Sequence, residues 1–432
     1  MLTFNFLIEV FCIFIYYYNV TIAKGGFILS ILILLTVISP YTTIIPAIYM
    51  TYKVLFRKVS IYKNHWNIGL SLLFMWSLTV GIINYSFTSI AASFVIFMYL
   101  CISIFLQNYC ENENKVEKIY RHLVCFSLFS AIFGIVEKII YVYFNFNIWA
   151  KFLQITSQPI VNNRIYSTFG NPNVAGNWFA IMILVSVYFC STTYKTTKLF
   201  YEVATFFFVV ALCLTGSRGA FMGLLFGLFI FYLLKNNKKD MWLLLTIFVL
   251  TAVVTFVPSE ILKHVTDHDF DSSFNSRFGI WNGCLQMIKL KPFTGWGLMG
   301  ISDHGATFMK DYYYATMYHG HNIWITFMTT LGAIGLLIYS YMKINLFRDL
   351  KALYAQNCRL VPMLAGIQAV IIGHGLVDFT MIAPQTGLLF IACSATISAL
   401  AKQYNSSLLN SSLRDSNYKQ LPKVSLFNFI SK

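Results

Sequence analysis

Charge is scarce in this chain. Asp, Glu, Lys and Arg make up only 11% of its residues, against about 25% in an ordinary soluble domain. Acidic residues are the scarcer sign, 16 against 31 Lys and Arg. Cysteine is present but unpatterned. Cys12, Cys101, Cys125, Cys190, Cys213 and Cys393 fall in apolar runs, Cys110 and Cys358 near their ends, and only Cys284 in a long polar loop. That distribution excludes an outward disulfide framework, and no C-x-x-C pair supplies a zinc spacing. Met1-Leu2-Thr3-Phe4-Asn5 lacks a basic n-region, and no small-residue cleavage site follows it. The first apolar run is therefore expected to stay in the protein. No internal repeat is visible.

Apolar residues fill the space that charge leaves. They account for 58% of the chain, with a mean hydropathy of +0.66. A bilayer core of about 30 Å takes around 20 apolar residues per helix. About twelve runs qualify, at 3–22, 26–50, 67–86, 88–108, 120–143, 173–191, 198–214, 219–234, 241–258, 321–342, 360–379 and 385–401. The expected fold is all-α: a polytopic integral membrane protein with about twelve transmembrane helices. One long extracytoplasmic loop, about 259–320, is expected to contain an amphipathic helix. Residues 1–401 form the transmembrane domain, and the Ser- and Asn-rich 402–432 a cytoplasmic tail.

Orientation follows from the basic residues, which collect in cytoplasmic loops. With the N-terminus inside, Lys53, Arg57, Lys58 and Lys63 fall on that side. So do Lys115, Lys118 and Arg121; Lys235, Lys238 and Lys239; and Lys343, Arg348, Lys351 and Arg359. Both termini are then cytoplasmic and the 259–320 loop faces out. The net charge of +15 is spread over short loops and forms no basic stripe. That argues against nucleic acid and for anionic lipid headgroups.

Four outward segments carry candidate chemistry. In the segment Asn162 to Asn173, Asn-Pro with a nearby Gly is turn chemistry and Asn173 can cap the next helix. Arg164 within it is either an interface anchor or a phosphate ligand. The short turn Thr215-Gly216-Ser217-Arg218-Gly219-Ala220 holds Arg218 near membrane level, where a charge either snorkels or marks a functional site. From Ser276 to about Leu290, Phe278, Trp281, Cys284, Leu285 and Ile288 repeat at three and four, which predicts an amphipathic helix with Arg277 in its first, anion-binding turn. The last segment is His319-Gly320-His321-Asn322, whose two histidines read as metal ligands, interface residues or a general base with a neighbour, since histidine suits proton transfer near neutrality. Asp267, Asp269 and Asp271 spell D-x-D-x-D, but Ser272 and Phe278 stand where a calcium loop needs Gly and Glu. Gly295, Gly297 and Gly300 spell G-x-G-x-x-G without the strand that a dinucleotide site requires.

Several of these motifs together resemble the bacterial O-antigen ligase family. They are Ser217-Arg218-Gly219, Arg277 with Trp281, Gly295-Trp296-Gly297-Leu298, and His321-Asn322 followed after nine residues by Gly332-Ala333-Ile334-Gly335. The wider superfamily includes O-antigen and exopolysaccharide polymerases and protein O-oligosaccharyltransferases. The likeness covers roughly residues 160–380. It implies transfer of a glycan from undecaprenyl pyrophosphate to an acceptor hydroxyl outside the cytoplasmic membrane, with no metal and no cofactor. By the same resemblance, Arg218 and Arg277 clamp the pyrophosphate, with Arg164 a third ligand. His321 is the base, and Asn322 and His319 support it. The acceptor is lipid A–core for a ligase or a growing polysaccharide for a polymerase. The rival from another class is a transporter or flippase, using Glu9, Glu137, Lys138, Glu202, His374 and Asp378. The one-sided long loop and the absence of a two-fold repeat argue against it.

Overall fold

The computed structural model describes residues 27–57, 59–144, 164–193, 195–240, 270–309 and 317–415, with single residues 146, 246 and 312. The expected spans 3–22 and 241–258, Asn162, Asn163, Asp267, Asp269, the Asp271 side chain and the chain beyond 415 lie outside the described residues.

Among the described residues, all regular structure is helical. In order come α1 (Phe27–Ile38), α2 (Ile44–Phe56), α3 (His65–Ile83), α4 (Phe87–Tyr109), α5 (Glu113–Phe144), α6 (Pro172–Thr192) and α7 (Lys195–Thr215). They are followed by α8 (Arg218–Leu234), α9 (Phe270–Leu290), α10 (Gly300–Phe308), α11 (Ile323–Ala355), α12 (Val361–Gly375), a 3-10 turn (Thr380–Ile382) and α13 (Pro384–Asp415). Seven of these, α3 to α7 with α11 and α13, are long and apolar enough to cross a membrane. The apolar windows of α6 and α13 are each 83% buried, so these two helices form the centre of the bundle and the others pack around them.

Several expected spans differ from the observed helices, among them 321–342, which continues as α11 to Ala355. The single span at 26–50 is two short helices, because Pro40 interrupts the run and Thr42 Oγ1 and Thr43 Oγ1 donate to the carbonyls of Leu35 (2.5 Å) and Ser39 (2.9 Å). The second of them, α2, is about 20 Å long, shorter than a bilayer core of about 30 Å. The span at 360–379 stops at Gly375, and the rest of that run forms an irregular segment that carries Asp378. The last helix continues past residue 401 as far as Asp415.

The close approach of α8 to α12 comes from a glycine row. A Cβ at Gly223 would stand 2.7 Å from the Val370 carbonyl oxygen, and one at Gly227 would stand 2.9 Å from that of Gly366. Small residues at this spacing let membrane helices pack backbone to backbone. The row starts at Gly219, so it also fixes Arg218 against the end of α12.

Inside α11, Gly332 takes φ 65° and ψ −169°, a conformation open essentially to glycine alone. The break frees carbonyls that a membrane helix must satisfy within the protein. Thr329 O accepts from the Trp296 amide (3.0 Å), Thr330 O from the Gly297 amide (2.8 Å) and Leu331 O from Trp76 Nε1 (2.8 Å). In return, the Ala333 amide donates to Pro292 O at 2.8 Å. Gly295 and Gly297, both at positive φ, therefore serve as the clasp of the 292–297 loop on kinked α11.

Lys343 does not lie in a cytoplasmic loop as the charge count assumes. It sits on α11 inside the bundle, donating to Gln368 Oε1 at 2.6 Å and lying over the Phe390 ring at 4.9 Å.

Candidate active site

The site assembles where α6, α8, α9, α11 and the segment after α12 meet. Asn322 caps α11: its Oδ1 accepts from the Ile325 amide at 3.0 Å, and its Nδ2 donates to Leu376 O at 2.8 Å. This side chain therefore ties the start of α11 to the segment that holds Asp378. His321, just before the cap, adopts φ 48°, a left-handed conformation uncommon outside glycine. That turn brings His321 Nδ1 to 3.1 Å from Asp378 Oδ1.

Asp378 is buried and surrounded by donors. The Phe379 amide reaches Oδ1 at 2.7 Å, and Asn173 Nδ2 reaches Oδ2 at 2.6 Å. Burial alone pushes this carboxyl up. The His321 hydrogen bond and the nearby His321, His319 and His374 outweigh it and hold the group well below the ordinary carboxylate range. An ionised carboxylate only accepts, so His321 Nδ1 carries the proton and Nε2 presents the lone pair. His319 stacks edge-on to His321 at 4.5 Å between ring centroids, and its Nδ1 accepts from the His321 amide at 3.2 Å. Burial, then His321 and Arg277, bring His319 down to about 4 despite Asp378, so it is neutral at pH 7. The ligand atoms of His319, His321 and Asp378 lie within 4.8 Å of one another, a spacing that a metal ion also fits.

Arg164 approaches Asp378 through Asn173. Its Nε donates to Thr215 O at 2.5 Å and its Nη2 to Asn173 Oδ1 at 2.7 Å. Both contacts are structural. Burial, and Arg277 and Arg218 among the neighbouring charges, lower its affinity for the proton, as expected where several cations crowd one place. Asn173 is not the helix cap that the sequence suggests. Asn171 caps α6, accepting from the amides of Asn173 (2.8 Å) and Val174 (3.3 Å), which leaves the Asn173 side chain to bridge Arg164 and Asp378.

Arg218 is the first residue of α8, with Ser217 as the N-cap, and is exposed at the mouth of the site. Arg277 lies within electrostatic reach of Arg164, Arg218, His319 and His374. The anion-binding argument for Arg277 needs correcting, because α9 begins at Phe270 and Arg277 stands well inside it. Its cation rather than the helix terminus supplies the field. Of the apolar face expected for α9, Phe278 and Leu285 are exposed and Cys284 is buried, joining Ile280 and Met287 in a small cluster against the protein.

Sequence reading assigns Asp378 and His374 to transport. The structure sets both at this site, with His374 packed into the Gly219 and Gly223 row on α8. The available signal is a carboxylate at the end of an apolar run, which must find partners. Two of the other transport candidates make local contacts within the fold. Glu137 accepts from the amides of Tyr166 (3.2 Å) and Ser167 (2.7 Å), fastening the segment after Arg164 to α5. Glu202 pairs with Lys198 at 3.5 Å. Glu9 lies outside the described residues.

A polytopic helical bundle that brings imidazole, carboxylate and guanidinium groups together defines a helical membrane protein with a polar side-chain cluster. Residues 203–340, about a third of the chain, match the family model described as O-Antigen ligase. The matched stretch includes Arg218, Arg277, His319, His321 and Asn322, and excludes Arg164 and Asp378. The chain is also similar to an uncharacterized protein of Haemophilus influenzae, 28% identical over 186 residues. That alignment covers 38% of this chain and 46% of the relative, so the chain spans less than half of the relative's length.

Proposed function

We propose that this protein is a glycosyltransferase of the cytoplasmic (inner) membrane. It moves a glycan from undecaprenyl pyrophosphate to an acceptor hydroxyl, that of lipid A–core, with inversion and without metal or cofactor. The observation that carries the reading is an imidazole oriented by a buried carboxylate beside a cluster of arginines, on a segment that matches an O-antigen ligase model. In this reading the site end faces outward, both termini are cytoplasmic, residues 1–401 form the transfer domain and 402–432 its tail.

The acceptor hydroxyl gives its proton to His321 Nε2 as its oxygen bonds to the anomeric carbon. The bond from that carbon to the phosphate oxygen breaks, and undecaprenyl pyrophosphate leaves. Attack opposite the leaving oxygen inverts the carbon. Asp378 holds the tautomer and stabilises the imidazolium, a division of labour familiar from hydrolase triads. Such base catalysis contributes about 10²–10⁴. Pyrophosphate needs no proton to depart, only cations on its growing charge, and Arg218 and Arg277 supply them with a fork that fits phosphate oxygens. Arg164 reinforces the field while holding Asn173. The metal-free reading comes from the family resemblance, and in it His321 Nδ1 gives its proton to the hydrogen bond with Asp378.

The test is deletion of the gene in its host, complemented with wild type or His321→Ala, with surface glycans resolved on a gel. Loss of all long chains from lipid A, with lipid-linked polymer accumulating, supports a ligase. Single repeats still attached to the acceptor would instead identify a polymerase. Unchanged glycans in the deletion strain would reject both.

A further inference from the structure

Three side chains of the candidate site converge from two parts of the chain. His321 Nδ1 stands 3.1 Å from Asp378 Oδ1, and His319 Nδ1 stands 3.9 Å from the same oxygen. In a four-coordinate zinc site with bonds of about 2.0–2.1 Å, neighbouring ligand atoms lie about 3.3 Å apart. One pair matches that edge, and the other exceeds it by a fraction of an ångström. Two imidazoles and a carboxylate suit zinc; Mg²⁺ and Ca²⁺ favour oxygen ligands throughout.

The surroundings are those of a ligand set. Asp378 turns Oδ1 toward both histidines while Asn173 Nδ2 holds Oδ2 at 2.6 Å, the kind of outer hydrogen bond that orients a ligating carboxylate. His319 Nδ1 accepts from the His321 amide, so its lone pair is on the nitrogen that faces the carboxylate. The side chains of His319 and His321 are 16% and 17% exposed, which lets an ion from solution reach them. Three protein ligands leave the fourth position of zinc to water.

We propose that His319, His321 and Asp378 bind Zn²⁺ as a reversible brake on the site. The braking effect rests on the transferase reading above. Its chemistry is a change of tautomer. As a base, His321 keeps its proton on Nδ1, shared with Asp378, and offers the Nε2 lone pair. A zinc ion on Nδ1 takes the place of that proton, and the neutral imidazole then carries it on Nε2. The nitrogen that should receive the acceptor's proton has become a donor. Removing zinc restores the first tautomer. Arg277, Arg164 and Arg218 crowd the same place and oppose a further cation. The site therefore loads when zinc is in excess and yields it to chelator, unlike the site of a resident cofactor.

The experiment uses the full-length protein in lipid nanodiscs, washed with chelator, and Zn²⁺ alone as the probe. Competition with a chromophoric chelator counts the ions bound, and wild type should bind one more than His319→Gln. Saturating Zn²⁺ should slow transfer by about 10²–10⁴, the share that a general base supplies. EDTA should restore the rate, and a large excess of Mg²⁺ should not reproduce the loss. The transfer that His319→Gln retains should be unmoved by zinc. Equal zinc binding by the two proteins, or equal fractional inhibition, would overturn the proposal and place the zinc elsewhere, for instance on the donor's pyrophosphate. Faster transfer with zinc would overturn it as well, and the metal-free reading with it. Wild type alone gives a second check: Co²⁺ should show the visible absorption of a four-coordinate ion, and a six-coordinate spectrum would reject the site even if His319→Gln does not fold. Zinc bound at these residues without any glycan transfer by wild type would instead defeat the transferase reading and leave the metal site standing.

Discussion

His321 Nδ1 and Asp378 Oδ1 meet at 3.1 Å across 57 residues of sequence. The contact joins the start of α11 to the irregular segment after α12, and Asn322 fastens the same two pieces of chain a second time. Among the described residues, the three hydrogen-bond partners of the Asp378 carboxylate all donate: His321, the Phe379 amide and Asn173 Nδ2.

That arrangement makes Asp378→Asn a sharp test. An amide offers one acceptor and one donor group, so its NH₂ must face a donor or force His321 into the other tautomer. Transfer should fall by about 10²–10⁴ while the protein still folds and reaches the membrane. A variant with more than a tenth of wild-type turnover would remove Asp378 from the mechanism. Chelator should leave wild-type turnover unchanged, and loss that zinc restores would turn His319, His321 and Asp378 into metal ligands.

Arg218→Ala and Arg277→Ala should each cost about 10²–10³ in turnover. Replacement by Lys should recover only part, because an ammonium keeps the charge but not the planar fork. Equal activity of the Lys variants and wild type, measured with purified lipid-linked donor, would show that charge alone suffices.

Stability should follow His319 in mild acid. Its folded value is near 4 against about 6.5 for an unperturbed histidine, so between those limits the unfolded chain binds the proton and the folded chain does not. Its contribution is complete above about pH 6.5 and is lost as pH falls toward 4. Asp378, facing it with His321 and Arg277, stays ionised through that window. The apparent Tm of wild type in detergent should drop across the window, and His319→Gln should flatten the drop. Parallel curves for the two proteins would show that His319 is not the group responsible.

Much of the bundle is legible in sequence, because an apolar run of about 20 residues has few other uses. The breaks are less legible. Pro40 and Gly332 interrupt runs that hydropathy averages over, and what stabilises each interruption is a distant or local partner that composition does not encode. The arginines and His321 stand out as costly residues beside apolar runs. Asn173 does not, because Asn171 and Asn173 look equivalent as caps until the fold brings Arg164 and Asp378 to one of them. Substituting each separates the roles. Asn171→Ala should cost about 1 kcal/mol of stability with activity kept, whereas Asn173→Ala should cut turnover by freeing the carboxylate. The reverse pattern would make Asn173 the structural residue.

Gly332 offers the clearest test of how the fold serves the site. A Cβ there would stand 2.2 Å from the Phe293 carbonyl oxygen, at a φ of +65° that other residues rarely adopt. Gly332→Ala must therefore either straighten α11 or push the 292–297 loop away. Straightening would return the Thr329 and Thr330 carbonyls to the helix and strand the Trp296 and Gly297 amides that now use them. A strained backbone of this kind costs about 1–3 kcal/mol, so the apparent Tm should fall. Turnover should fall as well, since the same helix begins at the Asn322 cap and carries His321 just before it. Gly335→Ala gives the comparison: its Cβ would clash with the Leu331 Cβ inside the helix but would touch no loop carbonyl. Equal losses in the two variants would show that α11 tolerates no bulk in this stretch, and that the kink has no special part in holding the site.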